Sequence, residues 1–381
     1  MNCVIGTGIH SPLPRFVAFV LRVATLGAGL LIAGQSVAST PAPPPLGLPA
    51  LHPVDNSRLV ALGRDLFNDP RLSVDGRVSC ASCHPPGRQF TDDQPTARLR
   101  GSAVLTRRTP SLLNVVYRPA LFWDGRESTL EAQALSPLLG PAEHGFVTPE
   151  ALMDALRDHP SLRASVATAC DVKTGEIRVD HVQRALAAYE RSLVSGNAPA
   201  DRYLYGQENG ALSAQAQRGL ALFRGRAGCS ACHTLGDRTA LYTDNAYHPG
   251  PSPIPNSVLS RLQELASRVT ELRQRGADAE LTALVSQNTD IAALGRYVAT
   301  LDPADIGRFR TPSLRNVAVN APYFHDGKVA ALDEAIDAEL YARHDARTPI
   351  VLTTNERADL KAFLEALTSP GDPALGPDDT M

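Results

Sequence analysis

The 381-residue sequence has almost no charge of one sign to spare. Its 37 Lys and Arg nearly balance 40 Asp and Glu, leaving a formal net charge of -3, which argues against nucleic acid or an anionic membrane as a partner. Strand-like alternation of apolar and polar residues is scarce, so a large sheet is not expected. No long uncharged apolar run is present either. The longest, residues 16–34, is broken by Arg22 and is short for a comfortable membrane span. Methionine occurs only at positions 1, 153 and 381, and tryptophan only as Trp123. What the chain does have is 43% hydrophobic residues, enough to bury real cores and to exclude a disordered composition. Frequent Pro (30) and Gly (28) predict ordered loops between helices.

The first 38 residues read as a processing segment. Arg15 precedes the apolar run, and Ser36-Val37-Ala38 offers small residues for cleavage before Ser39, the pattern of a secretory signal peptide. An uncleaved anchor is the rival reading. Cleavage near Ala38 places the mature protein in the periplasm, with no stable membrane insertion. Residues 39–55, with Ala42-Pro43-Pro44-Pro45, read as a stiff linker. Of six cysteines, Cys3 lies in the signal. Cys170 stands alone and reads as a buried small hydrophobe. The other four form two tight pairs.

The chain contains a repeat. RTPSLLNVVYRPALFWDGRESTLEAQA (108–134) and RTPSLRNVAVNAPYFHDGKVAALDEAI (310–336) share 11 of 27 positions without a gap. Each is preceded by Leu-Phe and then by Cys-x-x-Cys-His: Cys80, Cys83 and His84 in the first copy, Cys229, Cys232 and His233 in the second. The second copy has about 53 more residues between the two motifs. Within that insert, Leu259, Leu262, Leu265, Val269 and Leu272 predict an amphipathic helix over 258–272. Other helices are predicted over 57–68, 128–135, 149–157, 182–193, 213–223, 291–300, 331–341 and 355–367. The fold class is therefore mainly α, from an internal duplication. An N-terminal domain spans 56–205, a C-terminal domain 206–368, and 369–381 is a flexible tail.

Cys-x-x-Cys-His is the attachment signature of a c-type haem. Two thiols about one turn apart reach the two vinyl groups of one porphyrin, and the adjacent imidazole points at the iron. A zinc site would need four ligands at zinc-finger spacing, which neither motif has. A redox dithiol would not need the following His twice, and a disulfide across two residues is strained. Two motifs at the same place in a repeated unit favour two covalently bound haems, with His84 and His233 as proximal iron ligands.

The segments LGRDLFNDPRLSVDGRVSCASCH, RTPSLLNVVYRPALFWDGRESTLEAQALSPLLGPAEHG and FRTPSLRNVAVNAPYFHDGKVAALDEAI resemble the bacterial di-haem cytochrome c peroxidase family, which includes MauG. The resemblance implies two cytochrome-c-like haem domains: a peroxidatic N-terminal one that reacts with hydrogen peroxide, and a C-terminal electron-transfer one. It implies a small redox protein, or a side chain of a protein substrate, as electron donor. It assigns Trp123 as a charge-transfer bridge between the haems, and Gln133 and Glu143 as groups over the open face of the first iron. There Glu143 would relay a proton during O–O cleavage. His144 either shares that pocket or is a solvated loop residue.

The chain also departs from the family pattern. No His lies between His84 and His144, where the best-known branch carries a loop ligand, so the first haem is expected to be open at rest. The three Met positions exclude a methionine ligand on the second haem. Candidates for that place are Tyr341, Glu339 and His344: MauG-like enzymes use a Tyr, which favours Tyr341, whereas ungapped comparison puts Glu339 in the slot. Arg108 stands where relatives commonly have an Asn that helps bind calcium. A guanidinium cannot ligate calcium but can occupy the same niche, so calcium is not expected there.

Overall fold

The computed structural model describes residues 44–51, 56–97, 104–343 and 350–371. The signal segment, most of the tail and His344 lie outside the described residues. Fourteen α-helices and one two-stranded ribbon are present among the described residues, as the scarcity of alternation led one to expect. In the first half the helices are α1 (Ser57–Asn68), α2 (Leu130–Leu139), α3 (Pro149–Arg157), α4 (Pro160–Cys170) and α5 (Val179–Ser192). Next come α6 (Pro199–Tyr205) and α7 (Ala214–Arg224). The ribbon follows, with β1 (Tyr247–Pro249) antiparallel to β2 (Arg308–Arg310) and Tyr247 opposite Arg310. Between its strands lie α8 (Asn256–Leu259), α9 (Leu262–Gln274), α10 (Asp278–Gln287), α11 (Thr289–Ala292) and α12 (Tyr297–Thr300); α13 (Leu332–Ala342) and α14 (Thr354–Glu365) close the chain.

Helix starts follow local chemistry. Asn56, Thr129, Thr148, Ser213 and Thr353 each accept a backbone N–H of the first turn with a side-chain oxygen, as N-caps do. Thr353 and Glu356 complete a capping box.

Two cores repeat one design. In the first, α1 crosses α5 so closely that a Cβ on Gly63 would lie 1.9 Å from the Ala185 carbonyl oxygen. In the second, α7 crosses α14, and a Cβ on Gly219 would lie 1.9 Å from the Asp359 carbonyl oxygen. Phe67, Phe90 and Tyr189 pack edge-to-face in the first core. Phe223, Tyr242 and Phe363 do so in the second, a favoured aromatic geometry. The insert builds a third, smaller core from Leu265, Val269, Leu272, Leu281, Val285 and Leu294, among others.

Several expectations need correction. The helix predicted over 258–272 is two helices broken at Ser260-Arg261, which leaves Leu259 half exposed at 51%. The one predicted over 291–300 is likewise split at Gly295. There φ is +60°, and a Cβ would lie 2.3 Å from the Arg308 carbonyl oxygen. Three helices (α4, α6 and α10) were not anticipated. Helix α6, assigned to the first half, packs instead with the second core: Ala200 is fully buried there and its N–H donates to the Ala366 carbonyl. The described part of the linker, 44–51, is packed. Leu48 is buried, and the Gly47 carbonyl accepts from Ala240 N–H and the Arg315 guanidinium. Arg315 also forms a fully buried ion pair with Asp201 at 2.8 Å, which ties α6 to the second RTPSL segment.

The helix crossing gives a direct test. Gly63→Ala is expected to destabilise the fold by about 1–3 kcal/mol, the usual effect of overpacking, measured by chemical denaturation. An unchanged midpoint would show that the crossing is not close.

Candidate functional site

Each Cys-x-x-Cys segment forms a single tight turn. Cys83 and His84 N–H both donate to the Cys80 carbonyl (3.2 and 2.9 Å), and Cys232 and His233 N–H both donate to that of Cys229 (3.3 and 2.9 Å). The turn brings two thiols to one side and sets the histidine next to them. Both imidazoles are then fixed in the same way. His84 Nδ1 lies 2.8 Å from the Phe90 carbonyl oxygen, and His233 Nδ1 lies 2.9 Å from that of Tyr242. A carbonyl can only accept, so Nδ1 carries the proton and Nε2 is left free as a ligand. Phe90 and Tyr242 both adopt left-handed backbone (φ 54° and 51°), which turns their carbonyls back toward the rings. Burial pulls both histidines down to about 4, so each is neutral, as iron ligation requires.

The thiols speak against the rival readings. Burial pushes Cys83 up to about 12 and Cys80 higher still. A zinc ligand or redox nucleophile needs the opposite shift, toward thiolate, whereas a thioether needs none. All five described cysteines are free of disulfides. The one His/Cys/Asp/Glu group of metal-like spacing among the described residues is Cys232 with Asp244 and His248. It shares its cysteine with the haem motif, so it is not an independent metal site.

Beside His84 lies a cavity that is partly open to solvent. Cys83, His84, Trp123, Gln133 and Glu143 all line it, so the fold brings together the residues singled out in the first half. Gln133 projects from α2, and its Oε1 is buried without a partner. Glu143 sits on the turn after α2, its N–H bonded to the Gly140 carbonyl at 3.0 Å. Burial, partly opposed by the Arg126 guanidinium, pushes Glu143 up to about 6. Trp123 is buried and its Nε1 donates to the Arg108 carbonyl at 3.0 Å. Part of the cavity wall comes from the insert, through Thr282, Val285 and Ser286 on α10. Thr106 holds that helix end by bonding to the Val285 and Ser286 carbonyls.

Trp123 also marks the seam between the halves. Its carbonyl accepts from Arg310 N–H (3.0 Å), and the carbonyl of His325, its counterpart in the repeat, accepts from Arg108 N–H (2.9 Å). Next to it, Asp124 is fully buried between Arg107 (2.6 Å) and Arg126 (2.9 Å). Burial opposes its ionisation, but the two guanidiniums hold its carboxyl down to about 2.

Other expected residues are placed differently. His144 is not solvated: it lines a second cavity together with Cys80, His84, Gln133 and Glu143. It is buried behind the first motif, with Nδ1 at the Leu72 carbonyl and Nε2 3.9 Å from Cys80 Sγ. Tyr341 is 83% exposed at the end of α13, so its phenol does not face the second motif. Glu339, two residues earlier, is half-buried, its side chain 40% exposed. Burial raises its pKa, and its charge is felt at both Cys229 and Cys232. Arg343 flanks it at 3.8 Å and also donates to the Gly228 carbonyl. Tyr341 and Glu339 thus point to different sides of α13: one helix turn is 3.6 residues, so a shift of two puts a side chain on the opposite face. Arg108 does fill the niche where calcium was not expected. Its Nη2 donates to the Asn320 carbonyl (2.8 Å) and Oδ1 (2.6 Å).

Sequence reasoning missed Glu190. It is a buried carboxyl on α5, pushed up to about 8 by burial, with Oε2 unpartnered. The available signal was its place one turn after Leu186 on the apolar face of α5.

A mainly helical fold with two Cys-x-x-Cys-His turns and neutral imidazoles, one of them lining a largely apolar cavity that also holds Gln133 and Glu143, defines a c-type haem protein with a site for small-molecule chemistry. The comparisons agree. A sequence profile described as di-haem cytochrome c peroxidase matches residues 57–209. The methylamine utilization protein MauG of Methylorubrum extorquens is 36% identical over 314 residues, 81% of this chain and 77% of that one. Cytochrome-c peroxidase IdrP1 of Denitromonas iodatirespirans is 35% identical over 368 residues, covering 91% and 93%. Among solved structures, a MauG-like protein associated with microbial copper homeostasis superposes with a TM-score of 0.65 at 30% identity, covering 88% and 96%. The chain belongs to the di-haem cytochrome c peroxidase family, and is a haem peroxidase oxidoreductase with two c-type haems.

Proposed function

We propose that this chain is a periplasmic, MauG-like di-haem peroxidase that reacts with hydrogen peroxide at an open first haem and draws electrons through the second. In this reading the two haem domains descend from an internal duplication. Cys80, Cys83 and His84 hold one haem, and Cys229, Cys232 and His233 the other. The observation that supports it most is that Gln133 and Glu143 line the same cavity as His84, with no histidine in the preceding loop. The signal-like sequence pattern before Ser39 supports the compartment, and among the described residues no helix is long and apolar enough to cross a membrane.

Bound haem supplies the iron at which peroxide is reduced and the store of oxidising equivalents. The chain supplies proton handling and orientation. The Glu143 carboxylate takes a proton from the inner peroxide oxygen and returns it to the outer one, which then leaves as water. Gln133 Oε1, without a partner in the protein, accepts a hydrogen bond from the peroxide O–H and orients it. Trp123, anchored through Nε1 and through its own carbonyl, holds a π-system at the seam between the halves as a charge-transfer bridge. With His233, Glu339 would be the group that α13 offers to hold the second haem. An anionic oxygen there favours ferric iron and lowers the potential. The donor is a small redox protein or an oxidisable side chain of a protein substrate. Conventional peroxide removal with a soluble cytochrome is the second reading, favoured by relatives that are themselves cytochrome c peroxidases.

Three measurements bear on these readings. Because the base form of Glu143 is the active one, the rate of reaction with peroxide should rise with pH through about 6 and then level off. Glu143→Gln should lower it by about 10²-fold or more; an undiminished rate would remove the carboxylate from the mechanism. Electron paramagnetic resonance of the resting ferric protein should show one high-spin and one low-spin haem. The low-spin signal should change in Glu339→Gln and not in Tyr341→Phe, and two low-spin haems would contradict an open first site. Finally, steady-state turnover with reduced cytochrome c should be slow, while fast turnover would favour the second reading.

A further inference from the structure

The wall of the cavity beside His84 holds four arginines (107, 108, 118 and 126) and one glutamate, Glu143. Two of the four are neutralised: Arg107 and Arg126 share the buried carboxylate of Asp124. The other two have no carboxylate partner among the described residues. Arg108 bonds only to the neutral Asn320–Ala321 backbone and the Asn320 side chain, and its Nε is buried with no partner. Asp92, the acid nearest in effect, is turned to Thr109 Oγ1 at 2.8 Å. Arg118 makes a single hydrogen bond, to the Ser111 carbonyl at 2.7 Å. A third cation makes matters worse. Arg310, 4% exposed, has an orphaned Nε of its own and repels Arg118. Burial, with that repulsion added and only partly offset by the more distant Glu190 carboxyl, pulls Arg118 down to about 9; burial keeps Glu190 itself up at about 8, so it is a weak counter-charge.

Burying an unpaired cation is strongly unfavourable, and such groups persist where an anion meets them. A haem carries two carboxylates, the propionates, on one edge of the ring. Two unpaired guanidiniums therefore face a group with two negative charges. Guanidinium and carboxylate also match in shape, forming short, charge-assisted bonds.

We propose that Arg108 and Arg118 are the counter-ions of the two propionates of the haem held by His84, with Arg310 adding positive charge to the same edge from the second half. The proposal rests on the reading that this cavity holds that haem. It gives Arg108 a second role, since the guanidinium that meets a propionate also grips Asn320 in the other half. Haem loading would thus help to seat the halves on each other.

The test uses the full, haem-loaded protein and the variants Arg118→Gln, Arg118→Lys, Arg108→Gln and, as a control, the exposed Arg224→Gln. Haem content per chain comes first: fewer than two haems in the parent would fail the underlying reading rather than the arginine assignment. With two haems bound, Arg118→Gln and Arg108→Gln should each lower the midpoint potential of the first haem, because a positive charge that opposes ferric iron is lost. Each should also shift the propionate bending band in resonance Raman, which a merely structural role would not move. Arg118→Lys should restore most of the potential, and Arg224→Gln should match the parent. If Arg118→Gln does not accumulate as folded protein, Arg108→Gln and Arg118→Lys carry the same expectations. Unshifted propionate bands in folded, fully loaded variants would overturn the proposal.

Discussion

A carbonyl oxygen aimed at one nitrogen of an imidazole is the contact on which this protein's chemistry depends. Phe90 and Tyr242 direct their carbonyls at Nδ1 of His84 and His233. An imidazole so held has one tautomer and one free nitrogen, and its burial keeps that nitrogen unprotonated. Both contacts require left-handed backbone at an aromatic residue, an unfavourable local conformation. The same aromatic rings repay it, because each is clamped edge-to-face between two others in its core. Ligand geometry is thus set by hydrophobic packing some distance from the iron site.

The seam between the halves is a second place where backbone and charge act together. Arg108 and Arg310, at matching positions of the repeat, donate across it to His325 and Trp123. Trp123 is thereby held by its backbone and by its ring nitrogen at once. Around it the protein gathers buried and half-buried guanidiniums, Arg108 and Arg310 fully buried, against few carboxylates, Asp124 chief among them. Such an excess is tolerable only if the cofactor's own charges are counted as part of the fold. The apoprotein and the loaded protein should accordingly differ in more than colour.

The insert between the second motif and its RTPSL segment shows how one half can shape the other's site. It forms its own small core, yet α10 contributes side chains to the wall of the first cavity. Arg296 from the insert reaches the Asp124 and Gly125 carbonyls beside Trp123. A segment absent from the first copy is therefore what closes the first copy's pocket.

Much of this was legible in the residues alone. Attachment chemistry is covalent and local, so the spacing of Cys80, Cys83 and His84 determined it without reference to the fold, and the repeat announced a second site. Amphipathic periodicity located most helices for the same reason, since it reports one helix against one core. Where the reading went astray, the deciding contact was distant. Helix α6 joined the second core, Gly295 broke a helix against Arg308, and residues expected to be a linker packed under Arg315. Which of Glu339 and Tyr341 points to solvent depends on the rotation of α13, which neighbouring elements set. Glu190 and the unpaired arginines stayed invisible because a charged residue in a sequence does not say whether water or protein surrounds it. Composition and spacing determine which groups can reach a haem, whereas only the packed structure decides which of them are stripped of water, and burial is what changes their charge, their pKa and hence their use.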